Sequence, residues 1–175
     1  MSRLIPQPDI ALSGGVRLRS EWRPGDADLI VDLHRRGYAG EGPAFADPFP
    51  EYVGETVREA GLDQPGHASR VWFAERGSET LGCAAMIDRG TRGQLRWVVL
   101  LPEARGLGLG KALFRAAIDH ARAQGWPEVF LETTGGLEAS MGLYLANGFT
   151  VTSDTPAELW GVPGHHIVMT RRLVP

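Results

Sequence analysis

A single cysteine, Cys83, in a chain of 175 residues excludes an internal disulfide framework, and with it the disulfide-stapled class of small secreted folds. No run of 18 apolar residues is present, so no segment reads as a membrane-crossing helix. Charge of one sign is not in excess either. Eighteen Lys and Arg against 21 Asp and Glu leave a formal charge of -3, which gives no broad cationic field to hold a nucleic-acid backbone or an anionic membrane. The opening MSRLIPQPDIALSGG lacks an apolar core of signal-peptide length and contains two prolines, so it reads as a leader without export function. These absences point to the reducing cytoplasm and to partners other than nucleic acid or lipid.

Metal chemistry is disfavoured too. Five histidines (His34, His67, His120, His165, His166) have no ligand-like spacing, and the adjacent pair His165-His166, if on a strand, faces opposite ways. Ser140 is not in a nucleophile elbow, since Glu138 stands in the first glycine position, so serine hydrolysis is not indicated. Cys83 lies inside an apolar run and reads as a small core residue.

What is present is a composition of 43% hydrophobic and 22% charged residues, that of an ordinary globular domain. There is no internal repeat and no linker long enough to divide it. We therefore expect a flexible leader over 1–15 and one domain over 16–175. Val16 to Trp22 alternates apolar with polar, the period of a half-buried strand, and Pro24-Gly25 stops it. Helical spacing follows from Asp26, read as an N-cap, to Tyr38, and again from Phe49 to Ala60. Arg70 to Glu75, Thr80 to Asp88 and Gly93 to Leu101 read as an antiparallel meander. Leu109, Leu113, Ala117 and Ala121 mark one face of an amphipathic helix ending near Gly125. Val129 to Thr134 and Phe149 to Ser153 read as strands, Leu137 to Ala146 as a helix between them, and His165 to Leu173 as a last strand. The order predicts a mixed α/β (α+β) fold, a mostly antiparallel sheet with helices on both faces.

The stretch VVLLPEARGLGLGKAL carries the chemistry. Gly106, Gly108 and Gly110 alternate where a strand turns into a helix, so bare backbone N–H groups can converge at the positive end of the helix dipole, a setting that suits a pyrophosphate. Arg105 and Lys111 flank it with full charges. It is not a P-loop, because position 105 is not glycine and Ala112 replaces the metal-binding hydroxyl. Nor is it a dinucleotide fingerprint, because Lys111 and Leu113 occupy the two alternative third-glycine positions. Taken alone, such a turn is as readily a bare strand-to-helix connection as a ligand cradle.

Arg105-Gly106-Leu107-Gly108-Leu109-Gly110, after an apolar strand and Pro102-Glu103, resembles the (Gln/Arg)-x-x-Gly-x-(Gly/Ala) coenzyme A signature of the GNAT superfamily of N-acetyltransferases. Leu143-Tyr144-Leu145-Ala146-Asn147-Gly148-Phe149 is similar to that family's Leu-Tyr-x-x-x-Gly-Phe block. LRWVVLLPEARGLGLG, FLETT and Leu159-Trp160-Gly161-Val162 look most like the acetyltransferase half of regulators that fuse a MarR-type DNA-binding domain to a GNAT domain.

The resemblance implies a sheet that splays at the coenzyme site, with the pantetheine arm of acetyl-CoA along Val99, Leu100 and Leu101. It places the pyrophosphate on the amides from Arg105 through Gly106, Leu107, Gly108, Leu109 and Gly110 to Lys111, and makes Tyr144 the general acid. It implies direct acetyl transfer to a primary amine of a small molecule or a protein, with no metal, and leaves a homodimer open. Leu137 and Ser140 stand where the family commonly has asparagine and alanine. The acceptor region falls at about Leu29 to Ala60, with Tyr38 and Glu41 as binding candidates beside Phe45, Asp47 and Phe49. Glu132 and Glu41 are both candidates for the base. The competing reading from another class is a non-catalytic acyl-CoA-binding or sensing module.

Overall fold

The computed structural model describes residues 8–46 and 48–173. Residues 1–7 of the expected leader, and Asp47 among the acceptor candidates, lie outside the described residues. The elements in chain order are β1 Ile10–Ala11, β2 Val16–Arg19, α1 Asp26–Gly37, α2 Pro48–Ala60, β3 Arg70–Arg76, β4 Glu79–Asp88, β5 Gly93–Leu100, α3 Leu109–Ala123, β6 Glu128–Thr134, α4 Glu138–Ala146, β7 Thr150–Leu159 and β8 Val162–Arg172. The described strands form one sheet in the order β1-β2-β3-β4-β5-β6-β8-β7, antiparallel throughout except for the parallel pair β5–β6. Part of the expected leader is thus an edge strand, with Ile10 opposite Leu18.

Alternation along the strands divides the core in two. Val71, Phe73, Cys83, Ala85 and Ile87 face α1 and α2, whereas Trp72, Ala74, Ala84 and Met86 face α3 and the ring of Tyr144 from α4. Asp26 is the first helical residue, with Gly25 as N-cap. Its carboxylate accepts two bonds from the Arg19 guanidinium, at 2.9 and 3.0 Å, and one from the Arg23 N–H at 2.8 Å. Arg19 Nε also donates to Glu75 at 2.6 Å, so a buried cation pins the start of α1 to β2 and β3. A charge so buried is tolerated because all of its neighbours are paired.

Two features position the site. First, β5 carries a bulge against β4: Ala85 pairs with Arg96 but Cys83 pairs with Val99, and Trp97 takes a φ of 47°. An extra residue reverses the facing of everything after it. Leu95 accordingly packs on the α3 side, while Trp97 and Val99 pack on the α1–α2 side. Second, β6 meets β5 only at Gly93–Val129 and Gln94–Phe130, after which the two strands part. The last two strands also run longer than periodicity suggested. They meet in a tight hairpin at Trp160-Gly161, with φ of 48° and 81°, the paired positive values of a turn whose twist suits a hairpin.

Candidate active site

The glycine-rich turn lies between β5 and α3. Gly106 and Gly108 have φ of 82° and 77°, and a Cβ at either would meet nothing within 4 Å, so these glycines serve backbone conformation rather than close packing. Gly108 is the N-cap of α3 and makes no side-chain capping bond, which leaves the first N–H groups of a 15-residue helix without a backbone acceptor among the described residues. Leu107 and Lys111 are exposed and Leu109 is buried. Gly110 faces the other way, where a Cβ would touch the side chains of Leu100 and Leu143 at 3.3 Å, so the turn packs directly on the element that carries Tyr144.

Arg105 is committed elsewhere. Its Nη2 donates to the Gly37 carbonyl at 2.9 Å and its Nη1 lies 3.7 Å from Glu41, so it closes the negative end of α1. The sequence reading separated these two residues, Arg105 to the phosphate and Glu41 to the acceptor, but here they pair with each other. Glu41 is exposed, and it is not among the residues lining the cavity described below. Val99, Leu100 and Leu101 follow the bulge. Val99 packs against Gly37, where a Cβ would overlap the Val99 side chain, Leu100 is half-buried, and the Leu101 N–H is taken by the Leu81 carbonyl at 2.9 Å.

Where β5 and β6 part, a cavity of about 190 Å³ opens. One wall is Gln94 to Val98 and the other is Leu131 to Thr134, with Tyr144 reaching in from α4 and an aromatic group from α1, α2 and the Trp160 turn closing the far side. Tyr144 is 7% exposed, its ring 5.7 Å from Phe114 and 6.4 Å from Phe149 between centroids. No protein group among the described residues bonds its hydroxyl. Burial pushes the phenol up to about 12, so at neutral pH it holds its proton and can donate it. Tyr38 is also raised, chiefly by burial and next by the nearby Tyr144, and it donates to the Val98 carbonyl at 3.1 Å beside the bulge. Tyr38 therefore lines the cavity as well as bracing the strand.

On the β6 wall, Glu132 lies 3.5 Å from His166 Nε2 and takes a bond of 3.4 Å from Gln94 Nε2. The alternation expected of the histidine pair is observed: His165 turns away to Asp154 at 2.7 Å, and His166 turns to the cavity. The residues that sequence reasoning did not find here are Trp97, Arg96, His166 and Trp160. His166 was open to discovery through strand parity, whereas the other three depend on the bulge and on a turn between strands. The Cys83 thiol, raised by burial, donates to the Trp97 carbonyl at 3.1 Å and is a core residue. No group of three or more His, Cys, Asp or Glu suited to a metal is present among the described residues.

The family model for the Acetyltransferase (GNAT) family matches residues 31–149, more than half of the chain, and spans both the glycine turn and Tyr144. The chain belongs to the GNAT family. Among curated GNAT relatives, mycothiol acetyltransferase of Thermobispora bispora is 31% identical over 153 residues, 83% of this chain and 50% of that protein. N-acetyltransferase 8F1 of Rattus norvegicus is 34% identical over 116 residues, 60% of this chain and 52% of that protein. The chain thus spans about half the length of these relatives. Among solved structures, a GCN5-related N-acetyltransferase from Kribbella flavida superposes with a TM-score of 0.70 at 24% identity, covering 91% of this chain and 98% of that one. The ribosomal-protein-S18-alanine N-acetyltransferase of Escherichia coli gives 0.69 at 16% identity over 91% and 95%. Both likenesses show a shared GNAT fold.

Proposed function

We propose that this GNAT chain transfers the acetyl group of acetyl-CoA directly to a primary amine. The observation that carries this reading is the protonated hydroxyl of Tyr144, bonded by no group among the described residues, in the cleft between β5 and β6, on a helix that packs against the glycine turn. The turn fits the coenzyme. The Arg105 N–H is taken by the Pro102 carbonyl at 3.3 Å, but the amides from Gly106 to Lys111 have no backbone acceptor among the described residues and suit a pyrophosphate, and the edge of β5 beyond Gln94, which β6 leaves unpaired, suits an amide-bearing arm.

The coenzyme, when bound, supplies an acetyl group activated as a thioester. Glu132, steadied by Gln94 and His166, is placed to take a proton from an incoming ammonium, directly or through water. Tyr144 then donates a hydrogen bond to the departing sulfur. Surrendering its proton outright to a thiolate of pKa about 8.5 would run uphill by several kcal/mol, since the phenol stands at about 12. The hydroxyl therefore acts by sharing its proton as negative charge builds, which is where preorganised donors contribute most. Backbone N–H groups beside the Trp97 bulge are candidates for the developing oxyanion.

The likeness to the acetyltransferase half of MarR-type fusion regulators rests on three short runs of sequence. The test of the proposed activity is thiol release from acetyl-CoA over a panel of amines, beside calorimetry with coenzyme A. Binding together with amine-dependent release is expected. Binding without release on any amine or peptide would favour the sensing module, and no binding would overturn both.

A further inference from the structure

The geometry points to a zwitterionic acceptor: a free amino acid with an apolar or aromatic side chain, its carboxylate on Arg96 and its amine toward Glu132. This inference rests on the acetyltransferase reading and names the acceptor for that site.

Three observations carry it. The first is charge. Arg96 on β5 and Glu132 on β6 line opposite walls of the same cavity. Glu132 already has His166 and Gln94 beside it. Arg96 is half-buried and, among the described residues, has no carboxylate within ion-pairing distance; its contacts are the Tyr52 hydroxyl at 3.5 Å and the Trp97 ring at 5.4 Å. A guanidinium beside aromatic surface, with no carboxylate paired to it among the described residues, is suited to binding a carboxylate in a two-pronged manner. An acceptor with only positive charge, such as a polyamine, would be attracted by Glu132 and repelled by Arg96.

The second observation is the aromatic wall of the same cavity. Trp160 stands 4.9 Å from Phe49, 5.6 Å from Phe45 and 5.5 Å from Tyr52 between ring centroids, which gives a continuous aromatic surface for a side chain. Because Trp160 sits at the left-handed first position of the β7–β8 turn, the hairpin fixes where that surface lies. The third is size. A cavity of about 190 Å³ lies below the range typical of drug-sized ligands and suits a molecule on the scale of one amino acid. A residue at the start of a peptide fits less well, since its α-carbon bears an amide in place of the carboxylate Arg96 would hold.

The test uses phenylalanine, tryptophan and methionine, each against its amide and its decarboxylated amine. Calorimetry is run on the coenzyme A-loaded protein and thiol release on acetyl-CoA. At least one free amino acid should be bound and acetylated roughly 10- to 100-fold better than both of its partners, as expected for charge-assisted hydrogen bonds at one carboxylate. Arg96→Gln should bring that ratio toward one, and Arg96→Lys should restore part of it, at an unchanged melting temperature. The inference is overturned if the decarboxylated amines are bound as well as the amino acids in all three sets, or if Arg96→Gln leaves the ratio intact. If coenzyme A does not bind, the acetyltransferase reading fails, and the same binding ratio measured on the free protein still decides the role of Arg96.

Discussion

Tyr144→Phe removes one oxygen from the site and little else. The Tyr144 ring keeps its packing against Phe114 and Phe149, and among the described residues the lost hydroxyl has no protein hydrogen bond to forfeit, so folding stability should change by less than about 1 kcal/mol. The rate should respond much more. A hydrogen bond to a sulfur gaining negative charge contributes about 1.5–3 kcal/mol, which corresponds to a fall of roughly 10- to 100-fold in kcat. Coenzyme affinity should hold, because the bond strengthens only as charge develops. The pH dependence follows from the direction of the shift. Burial raises the phenol to about 12, so Tyr144 keeps its proton throughout the neutral and mildly alkaline range and imposes no alkaline fall on kcat there. Steady-state kinetics on wild type and variant, with calorimetry for coenzyme A, measure both quantities. A variant within twofold of wild type would remove Tyr144 from the chemistry, and a loss of coenzyme affinity equal to the loss of rate would make it a binding contact only.

Gly108→Asp should weaken coenzyme binding at least tenfold, because it sets a carboxylate at the helix N-terminus and forces a side chain into φ of 77°. Gly108→Asn, which tolerates that conformation without the charge, should lose less; equal affinity for all three proteins in calorimetry would refute the cradle. His34 is buried with Nδ1 against the Ile30 carbonyl at 2.7 Å, and burial lowers its pKa to about 4. The unfolded chain therefore binds more protons below the ordinary histidine value of about 6.5, so this stability is complete above that pH and is lost as pH falls toward 4, by up to roughly 3 kcal/mol. His120, also lowered chiefly by burial and with Nδ1 unbonded, acts in the same direction. Urea unfolding at neutral and acid pH should show this loss, smaller in His34→Phe, and an equal loss in both proteins would refute it.

Features that depend on near neighbours along the chain are legible in the residues alone. Which face Val71, Trp72 and Phe73 occupy is set by the two-residue period of one strand. That backbone amides stay bare at the N-terminus of α3 follows from glycines at 106 and 108, and the position of Tyr144 four residues before Gly148 fixed the helix that bears it. Phe149 to Ser153 reads as a strand from its residues, whereas the continuation of β7 to Leu159 is established by pairing with β8.

Tertiary structure decided the rest. The bulge at Trp97 exists only relative to β4, and it sends Leu95 and Trp97 to opposite layers although their spacing alone predicts one. Arg105 meets Glu41 across 64 positions of sequence because α1 ends beside the glycine turn. Arg96, Glu132, His166 and Trp160 share one cavity because β6 leaves β5 after two residues and a hairpin folds back over the gap. Local patterns record the direction of each side chain from its own backbone, whereas the distances between groups on different strands arise only when the layers pack.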